Sequence, residues 1–185
     1  MNITLDSGLK LLLNPIQAED QQVLYQLMDE VYRSGYRYIW EDQGDWYVNL
    51  IYNRHTLHKE LKRPTSHYFF VELGGKKIGI LKYDFPLSPK ELEIPNAMKL
   101  HRLYLHPEVH GKGIARILMD HCEKVAVENG LEAIWLEAME CQMQARKFYE
   151  KVGYREILTY TLDFERIFPE YRNIQIMKKN IVRTL

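Results

Sequence analysis

Residues 97–115 hold a β-forming segment, a glycine-containing turn and the start of an amphipathic helix in direct succession. Ala97–Leu105 alternates in the manner of a strand, and Gly111 and Gly113 keep side chains out of the turn that follows. The first turn of a helix leaves main-chain N–H groups unpaired and carries a partial positive charge. This order predicts a turn that suits a diphosphate, with Lys112 and Arg116 adding positive charge nearby.

Two better-known phosphate motifs do not match this turn. The dinucleotide fingerprint requires glycine or alanine where this sequence has Arg116, and the P-loop requires Gly-Lys-Ser/Thr, which is absent. Short glycine motifs are weak signals by themselves, so a flexible turn before an amphipathic helix explains these residues equally well. The turn alone leaves both interpretations open.

Two separated motifs carry a resemblance to a known family. His110-Gly111-Lys112-Gly113-Ile114-Ala115 resembles the acetyl-CoA-binding motif Arg/Gln-x-x-Gly-x-Gly/Ala of the GCN5-related N-acetyltransferase (GNAT) superfamily. Gln142–Tyr154 resembles the second signature of that family, Asn-x-x-Ala-x-x-Phe-Tyr-x-x-x-Gly-Phe. The resemblance implies a three-layer α/β/α fold with a mixed, mostly antiparallel central sheet splayed at the cofactor cleft. We therefore expect a single N-acetyltransferase domain over residues 1–185.

Periodicity and turn residues predict the element order βααβββαβαββ. Ser34-Gly35 is expected to end the first helix, and Gly74-Gly75 is a strong hairpin signal. The predicted helices are 18–33, 45–62, 111–129 and 142–152, and the predicted strands are 11–13, 67–73, 76–84, 97–105, 132–138, 154–164 and 173–179.

The resemblance also implies which residues bind acetyl-CoA, the acyl-donor cosubstrate. Main-chain groups of Leu103 and Leu105 match the positions that pair with the pantetheine arm, and N–H groups of the glycine turn match the pyrophosphate cradle. The full implied set is Leu103, Tyr104, Leu105, His110, Gly111, Lys112, Gly113, Ile114, Ala115, Arg116, Gln142 and Tyr149.

Two of these residues depart from the family's motifs. His110 stands where arginine or glutamine is usual, and protonated His110 is expected to raise the affinity for CoA at lower pH. Gln142 replaces the usual asparagine; it keeps the amide but is one methylene longer. Neither change is expected to abolish activity.

Tyr149 matches the family's general acid, which protonates the departing CoA thiolate. Ala145, Phe148 and Val152 share its helix face, so the phenol is expected to point into the cleft, with a half-buried core tyrosine as the alternative. A main-chain N–H of the strand before the turn matches the group that polarises the thioester carbonyl. The implied mechanism is direct transfer to a neutral amine.

An alkylammonium acceptor must lose a proton before it attacks, because its free pKa lies far above neutrality. His101 is the candidate base, since alternation places it on the strand face of Leu103 and Leu105. A strand histidine is more often structural than catalytic. Other compatible bases are a water relay, Glu72, Glu137 and Glu140.

Aromatic side chains make up 12% of the sequence, and many of them fall in one stretch. In the resembled family this stretch and the link 165–172, which contains Phe168 and Tyr171, border the acceptor site. Rings with carboxylates suit an amine-bearing acceptor, whereas core packing or a homodimer contact are the alternatives. The cluster consists of Tyr32, Tyr36, Tyr38, Trp40, Trp46 and Tyr47, with Glu30, Glu41, Asp42 and Asp45.

Composition and the remaining motifs exclude other classes. A formal net charge of +0 argues against a nucleic-acid binder, and no apolar window is long enough to span a membrane. The two cysteines favour a reduced, cytoplasmic compartment; Cys122 is expected to be packed, and a role for Cys141 stays open. No metal site is predicted, because the pairs His55/His58 and His106/His110 lack carboxylate or cysteine partners at ligand spacing.

These observations predict an acetyl-CoA-dependent N-acetyltransferase that acts on a primary amine of a small molecule or peptide. A catalytically silent acyl-CoA-binding or sensing module on the same fold is the alternative.

Overall fold

The computed structural model describes residues 2–4, 10–89, 92 and 94–182. The chain divides into two compact units. The first comprises Met1–Lys82 and Arg102–Ile114, and the second comprises Tyr83–His101 and Ala115–Leu185. The expectation of one domain over residues 1–185 stays a prediction.

The first unit holds four strands, three helices and the end of a fifth strand. Its strands are β1 (Asn2–Thr4), β2 (Lys10–Pro15), β3 (Ser66–Leu73), most of β4 (Lys76–Asp84) and the end of β5 (Ala97–Leu105). Its helices are α1 (Gln21–Tyr36), α2 (Asp45–Ile51) and α3 (Arg54–Leu61). The second unit holds the rest of β5, α4 (Ile114–Glu128, from Ala115 onward), β6 (Ala133–Met139), α5 (Met143–Lys151), β7 (Arg155–Thr161) and β8 (Asn173–Asn180).

The strands form an open, mixed sheet, which confirms the predicted α/β class. In the first unit the strand order is β1-β2-β3-β4, and in the second it is β5-β6-β8-β7. β5 and β6 are parallel and joined by α4, while β6 with β8 and β7 with β8 are antiparallel. The pairing of β5 with β6 ends at Leu100↔Leu136, although β6 continues to Met139.

Helix periodicity determines which side chains form the core. In α1 the buried residues are Leu24, Met28, Val31 and Tyr32, which recur on one helix face. In α4 the residues Leu118, Met119, Cys122 and Ala126 are fully buried. Burial of such faces is the main favourable term in folding.

Several predicted boundaries differ from the structure: the strand predicted over 154–164 ends at Thr161, the strand predicted over 11–13 extends over Lys10–Pro15, and α1 begins at Gln21 rather than at residue 18. Three further differences have a local reason. α1 continues through Ser34-Gly35 to Tyr36, and the Ser34 hydroxyl donates to the Val31 carbonyl at 2.7 Å. The helix predicted over 45–62 is two helices, because Asn53 accepts a hydrogen bond from the Thr56 N–H at 2.8 Å and so caps α3. α4 begins at Ile114 rather than at residue 111, since both glycines of the turn have positive φ. The short strand β1 was not predicted.

Among the described residues, no helix is long and apolar enough to cross a membrane.

Candidate functional site

The glycine turn lies in the first unit and has the backbone that its sequence predicts. Gly111 has φ +75° and Gly113 has φ +78°, values that L-residues with side chains rarely adopt. A Cβ at either position would meet no atom within 4 Å, so both positions face open space. Within the described residues the N–H groups of these glycines have no main-chain acceptor, whereas the Lys112 N–H donates to the Val109 carbonyl at 3.4 Å. The turn therefore presents unused donors directly before α4.

Two histidines hold the ends of this turn. His106 Nε2 lies 2.8 Å from Glu30 Oε1 of α1, and its Nδ1 accepts from the Glu108 N–H at 3.2 Å. His110 Nε2 donates to the Leu105 carbonyl at 3.0 Å. Since Nε2 already carries a proton there, a second proton on His110 would go to Nδ1; the predicted rise in CoA affinity at lower pH stays a prediction.

An exposed ion pair adds to the anchoring of the turn. Lys76 Nζ and Glu108 Oε2 are 2.8 Å apart. The pair raises the pKa of Lys76 and lowers the pKa of Glu108. Because both side chains are exposed, the pair contributes little to stability.

Gly79 of β4 touches the main chain at the end of β5. A Cβ on this glycine would lie 2.1 Å from the Tyr104 carbonyl oxygen and 3.0 Å from Leu105 Cα. The adjacent His106 N–H donates to the Ile78 carbonyl at 2.7 Å. A glycine inside a strand pattern is a known signal of close backbone approach, and it would have identified Gly79 from the sequence.

A buried polar group supports the same strand end. Arg102, directly before Leu103, makes two hydrogen bonds of 2.8 Å to the carboxylate of Glu60 on α3. Its guanidinium also lies 5.7 Å from the ring centres of Tyr52 and Tyr68. Breaking a buried bidentate pair is costly, so this contact fixes the path of β5 against α3. No sequence motif predicts the pairing of Arg102 with Glu60, because the two residues are 42 positions apart.

The aromatic cluster is mostly self-packed. The Tyr32 ring stacks on Tyr36 at 4.7 Å and on Tyr47 at 4.5 Å, and it meets the edge of Tyr104 at 5.7 Å. The Trp40 indole N–H donates to the Tyr32 hydroxyl at 3.0 Å, and both residues are buried. Rings at these separations fill the space between them, which favours the packing interpretation for the centre of the cluster.

The carboxylates of the cluster also have partners within the unit. Asp42 accepts from the N–H groups of Gly44 and Trp46 at the start of α2. Asp45 pairs with Arg33, and Glu30 contacts the turn histidine described above. Asp42 therefore stabilises the start of α2, whereas the pairs of the exposed Asp45 and Glu30 contribute little to stability.

Tyr149 lies in the second unit, on α5, and is half-buried. Its ring packs 5.5 Å from Phe148 and 6.1 Å from Tyr154. Burial, with a smaller contribution from Cys122, raises the pKa of its phenol to about 12. The phenol therefore remains protonated at neutral pH and is available as an acid.

The two cysteines differ in how deeply they are buried. Cys122 is fully buried, and burial raises the pKa of its thiol to about 12. Such a thiol is inert at neutral pH, in line with the expected packed side chain. Cys141 is half-buried and lies just before α5.

Two further residues that the resemblance implies in the binding of acetyl-CoA, Gln142 and Arg116, lie at the starts of helices in the second unit. Gln142 occupies the N-cap position of α5, and its side chain makes no capping hydrogen bond. Arg116, in the first turn of α4, pairs with Asp120 at 2.9 Å on the surface. The carboxylate of Asp120 thus partly neutralises the positive charge of Arg116.

The candidate bases are distinguished by their partners. Glu72 lies 3.2 Å from Lys77, and Glu140 accepts from Asn173 at 2.8 Å. Glu137 accepts from Lys99 at 2.8 Å and from the Tyr160 hydroxyl at 3.0 Å. His101 Nε2, by contrast, lies 3.0 Å from the carboxylate of Asp84.

The structure brings the predicted site residues together in two groups. Leu103, Tyr104, Leu105 and the turn as far as Ile114 lie in the first unit, and His101, Ala115, Arg116, Gln142 and Tyr149 lie in the second. Among the described residues no group of three or more His, Cys, Asp or Glu side chains is arranged to hold a metal ion.

A family model described as "Acetyltransferase (GNAT) family" matches residues 24–154. The chain belongs to the GNAT family of acetyltransferases.

Individual proteins agree with this assignment. An uncharacterized N-acetyltransferase in the pepI 3′ region of Lactobacillus delbrueckii subsp. lactis is 28% identical over 61% of this chain and 65% of its own length. The N-acetylaspartate synthetase of Danio rerio is 31% identical over 60% of this chain and 40% of its own length. This chain thus matches less than two thirds of each of these relatives.

A solved structure shows the same fold. The PaiA N-acetyltransferase from Thermoplasma acidophilum, in complex with coenzyme A, aligns with a TM-score of 0.70 and 21% identity. The alignment covers 92% of this chain and 98% of that one.

Proposed function

We propose that this protein transfers an acetyl group from acetyl-CoA directly to a primary amine of a small molecule or peptide. The observation that carries the proposal is the turn with Gly111 and Gly113, whose positive φ and open surroundings leave main-chain N–H groups unused before α4. Main-chain donors at a helix start are suited to a pyrophosphate. Because Gly111 and Gly113 have no side chains, a ligand could approach the main chain closely at both positions.

The remaining donor contacts are assigned by correspondence with the family's motifs. Main-chain groups of Leu103–Leu105 bind the pantetheine arm, and Gln142 contributes its amide. Of the main-chain groups at Leu105, the carbonyl already accepts from His110, so the N–H is the group available to the ligand. Acetyl-CoA supplies the acetyl group as a thioester.

Two side chains move protons in this proposal. His101 takes one proton from the ammonium group of the acceptor, and with Nε2 turned toward Asp84 the proton goes to Nδ1. The amine nitrogen then forms a bond to the thioester carbon as the C–S bond breaks. Tyr149 gives its proton to the departing sulfur and regains one from the nitrogen of the new amide. A main-chain N–H of the β5 end stabilises the carbonyl oxygen as charge develops.

The proposal specifies only the reacting group of the acceptor, which is a primary amine. Since the centre of the aromatic cluster is filled by its own rings, the rings proposed to contact an acceptor are the exposed Tyr38 and the half-buried Trp46. One relative's name, N-acetylaspartate synthetase, makes an amino acid a sensible member of the panel to test.

Gly113→Ala is expected to weaken the binding of acetyl-CoA about tenfold. An alanine at φ +78° is strained by roughly 1–2 kcal/mol, and relief of that strain turns the N–H groups of the turn away from the ligand. Isothermal titration calorimetry of acetyl-CoA into both proteins measures the change. Gly35→Ala is the matched control: this glycine lies within α1, has open surroundings and lacks a positive φ, so affinity should be unchanged.

Two measurements, the binding of acetyl-CoA and the release of CoA, test the proposal. Absence of acetyl-CoA binding by the wild-type protein at micromolar concentrations contradicts the assignment of the turn. Release of CoA, followed with a thiol reagent across polyamines, aminoglycosides, amino acids and peptides, tests the transfer itself. Binding without release for every acceptor would instead support the silent acyl-CoA-binding module.

A further inference from the structure

A histidine and a buried carboxylate meet on neighbouring elements of the second unit. His101 Nε2, on β5, lies 3.0 Å from Asp84 Oδ2, at the end of β4. The Asp84 side chain is 1% exposed, while that of His101 is 19% exposed. A buried carboxylate is costly unless a partner stabilises its charge, and a partly exposed imidazole can supply that partner while still exchanging protons with its surroundings.

We propose that Asp84 is a positioning residue that orients His101 and stabilises its protonated form while His101 takes the proton of the acceptor amine. This inference rests on the proposed function. It adds a residue that neither family motif contains, because Asp84 precedes both of them.

The chemistry of the pair follows from its geometry. The contact places Nε2 beside the carboxylate and leaves Nδ1 as the ring nitrogen farther from Asp84. When Nδ1 gains the acceptor's proton, the positive charge forms beside a carboxylate in a site with little water, where opposite charges interact strongly. The proton then leaves to solvent, which returns the imidazole to its neutral state.

The other charged groups around the pair have partners of their own. On the same face of β5, Lys99 pairs with Glu137 of β6 at 2.8 Å, and Tyr160 of β7 donates to the same carboxylate. In the first unit, Lys82 and Arg102, the neighbouring cations along β4 and β5, both face Glu60. Asp84 is thus a charged group in direct contact with the His101 ring.

The test is the pH dependence of kcat/KM in Asp84→Asn at saturating acetyl-CoA. Asparagine keeps the size of the side chain and removes its charge, so the protonated ring is less stabilised and the acidic limb moves to lower pH by about one unit. The weaker base also lowers kcat at the plateau about tenfold. The matched control is Glu123→Gln, which removes a carboxylate paired with Lys179 and should leave the acidic limb where it is.

A double-mutant cycle separates positioning from a merely structural role. In a His101→Gln background, Asp84→Asn should cause no further loss of kcat, because its effect passes through the imidazole. The proposal is overturned if the losses of kcat in Asp84→Asn and His101→Gln multiply in the double variant. It is also overturned if the acidic limb of Asp84→Asn does not move. If Asp84→Asn fails to fold, Asp84→Glu provides the second variant, and restoration of the wild-type limb is the supporting result.

A titration of the His101 ring by NMR gives a readout that does not depend on turnover. Its midpoint should fall by about one pH unit in Asp84→Asn. An unchanged midpoint overturns the inference even if the enzyme is active. A wild-type protein that binds acetyl-CoA but acetylates no amine overturns the proposed function and with it the catalytic role of the pair, and the NMR titration then reports the contact alone.

Discussion

Tyr149→Phe should lower kcat about a hundredfold and leave the affinity for acetyl-CoA within a factor of about three. General acid catalysis contributes roughly 10²–10⁴-fold when the proton donor is well placed, and phenylalanine removes the donor while keeping the ring. The ring packs against Phe148 and Tyr154, so the shape of α5 is preserved in the variant. Steady-state kinetics and calorimetry with acetyl-CoA give the two quantities separately.

Tyr154→Phe is the matched control for this variant. Tyr154 is fully buried next to Tyr149, and its hydroxyl has no hydrogen-bond partner among the residues that the structure describes. Removal of an unsatisfied buried hydroxyl is expected to stabilise the protein by about 1 kcal/mol without a change in kcat. Equal turnover of Tyr149→Phe and wild type would contradict the assigned acid role.

The pH profile provides an independent check on Tyr149. Because burial raises the pKa of its phenol to about 12, the acid stays protonated throughout the accessible range. Loss of the acid form should therefore produce no basic limb in kcat below about pH 10. A limb near the ordinary tyrosine value that disappears in Tyr149→Phe would contradict the buried environment of the phenol.

Local signals predicted much of the fold. The bounds of β4 and β5 agree with the sequence prediction, and Gly130, with φ +68°, follows α4 as the expected C-terminal cap. Errors arose where two local signals competed. Ser34-Gly35 is a plausible helix end by composition, but α1 continues because its apolar face remains buried as far as Val31-Tyr32 and the Ser34 hydroxyl bonds to the helix backbone.

The candidate site was predicted only where its residues form a motif. The glycine turn and Tyr149 are recognisable because spacing along one helix or turn determines their placement. Asp84 was missed because its role depends on which residue of β5 it faces, and that register is not contained in either strand alone. The pairing of Arg102 with Glu60 across 42 positions of sequence is missed for the same reason. Gly79 was missed although a glycine inside a strand pattern signals a close approach of backbones.

Gly79→Ala should lower the free energy of unfolding by about 3 kcal/mol, which corresponds to a fall in Tm of roughly 8 °C for a chain of this length. The added Cβ would lie 2.1 Å from the Tyr104 carbonyl oxygen, far inside van der Waals contact. Since that oxygen belongs to the backbone, a change of rotamer cannot relieve the overlap. The end of β5 must move away from β4, which also shifts the main-chain groups proposed to bind the donor. We expect the Kd for acetyl-CoA to rise at least about tenfold.

Thermal unfolding and calorimetry on Gly79→Ala and Gly35→Ala measure these effects side by side. Gly35→Ala adds the same methyl group within α1, where no atom lies within 4 Å, and should be neutral or slightly stabilising. A Gly79→Ala protein with the wild-type Tm and Kd would contradict the close approach of the two strands.

A second-site variant identifies which contact is responsible. Leu105→Ala removes only the side-chain contact, in which Leu105 Cδ2 lies 2.9 Å from the position of the added methyl group, and leaves the overlap with the Tyr104 carbonyl in place. The double variant should therefore be no more stable than Gly79→Ala. Rescue by Leu105→Ala would instead show that the flexible leucine, rather than the backbone of β5, limits the size of residue 79. In that case β5 would not need to move, and the Kd for acetyl-CoA would stay near the wild-type value.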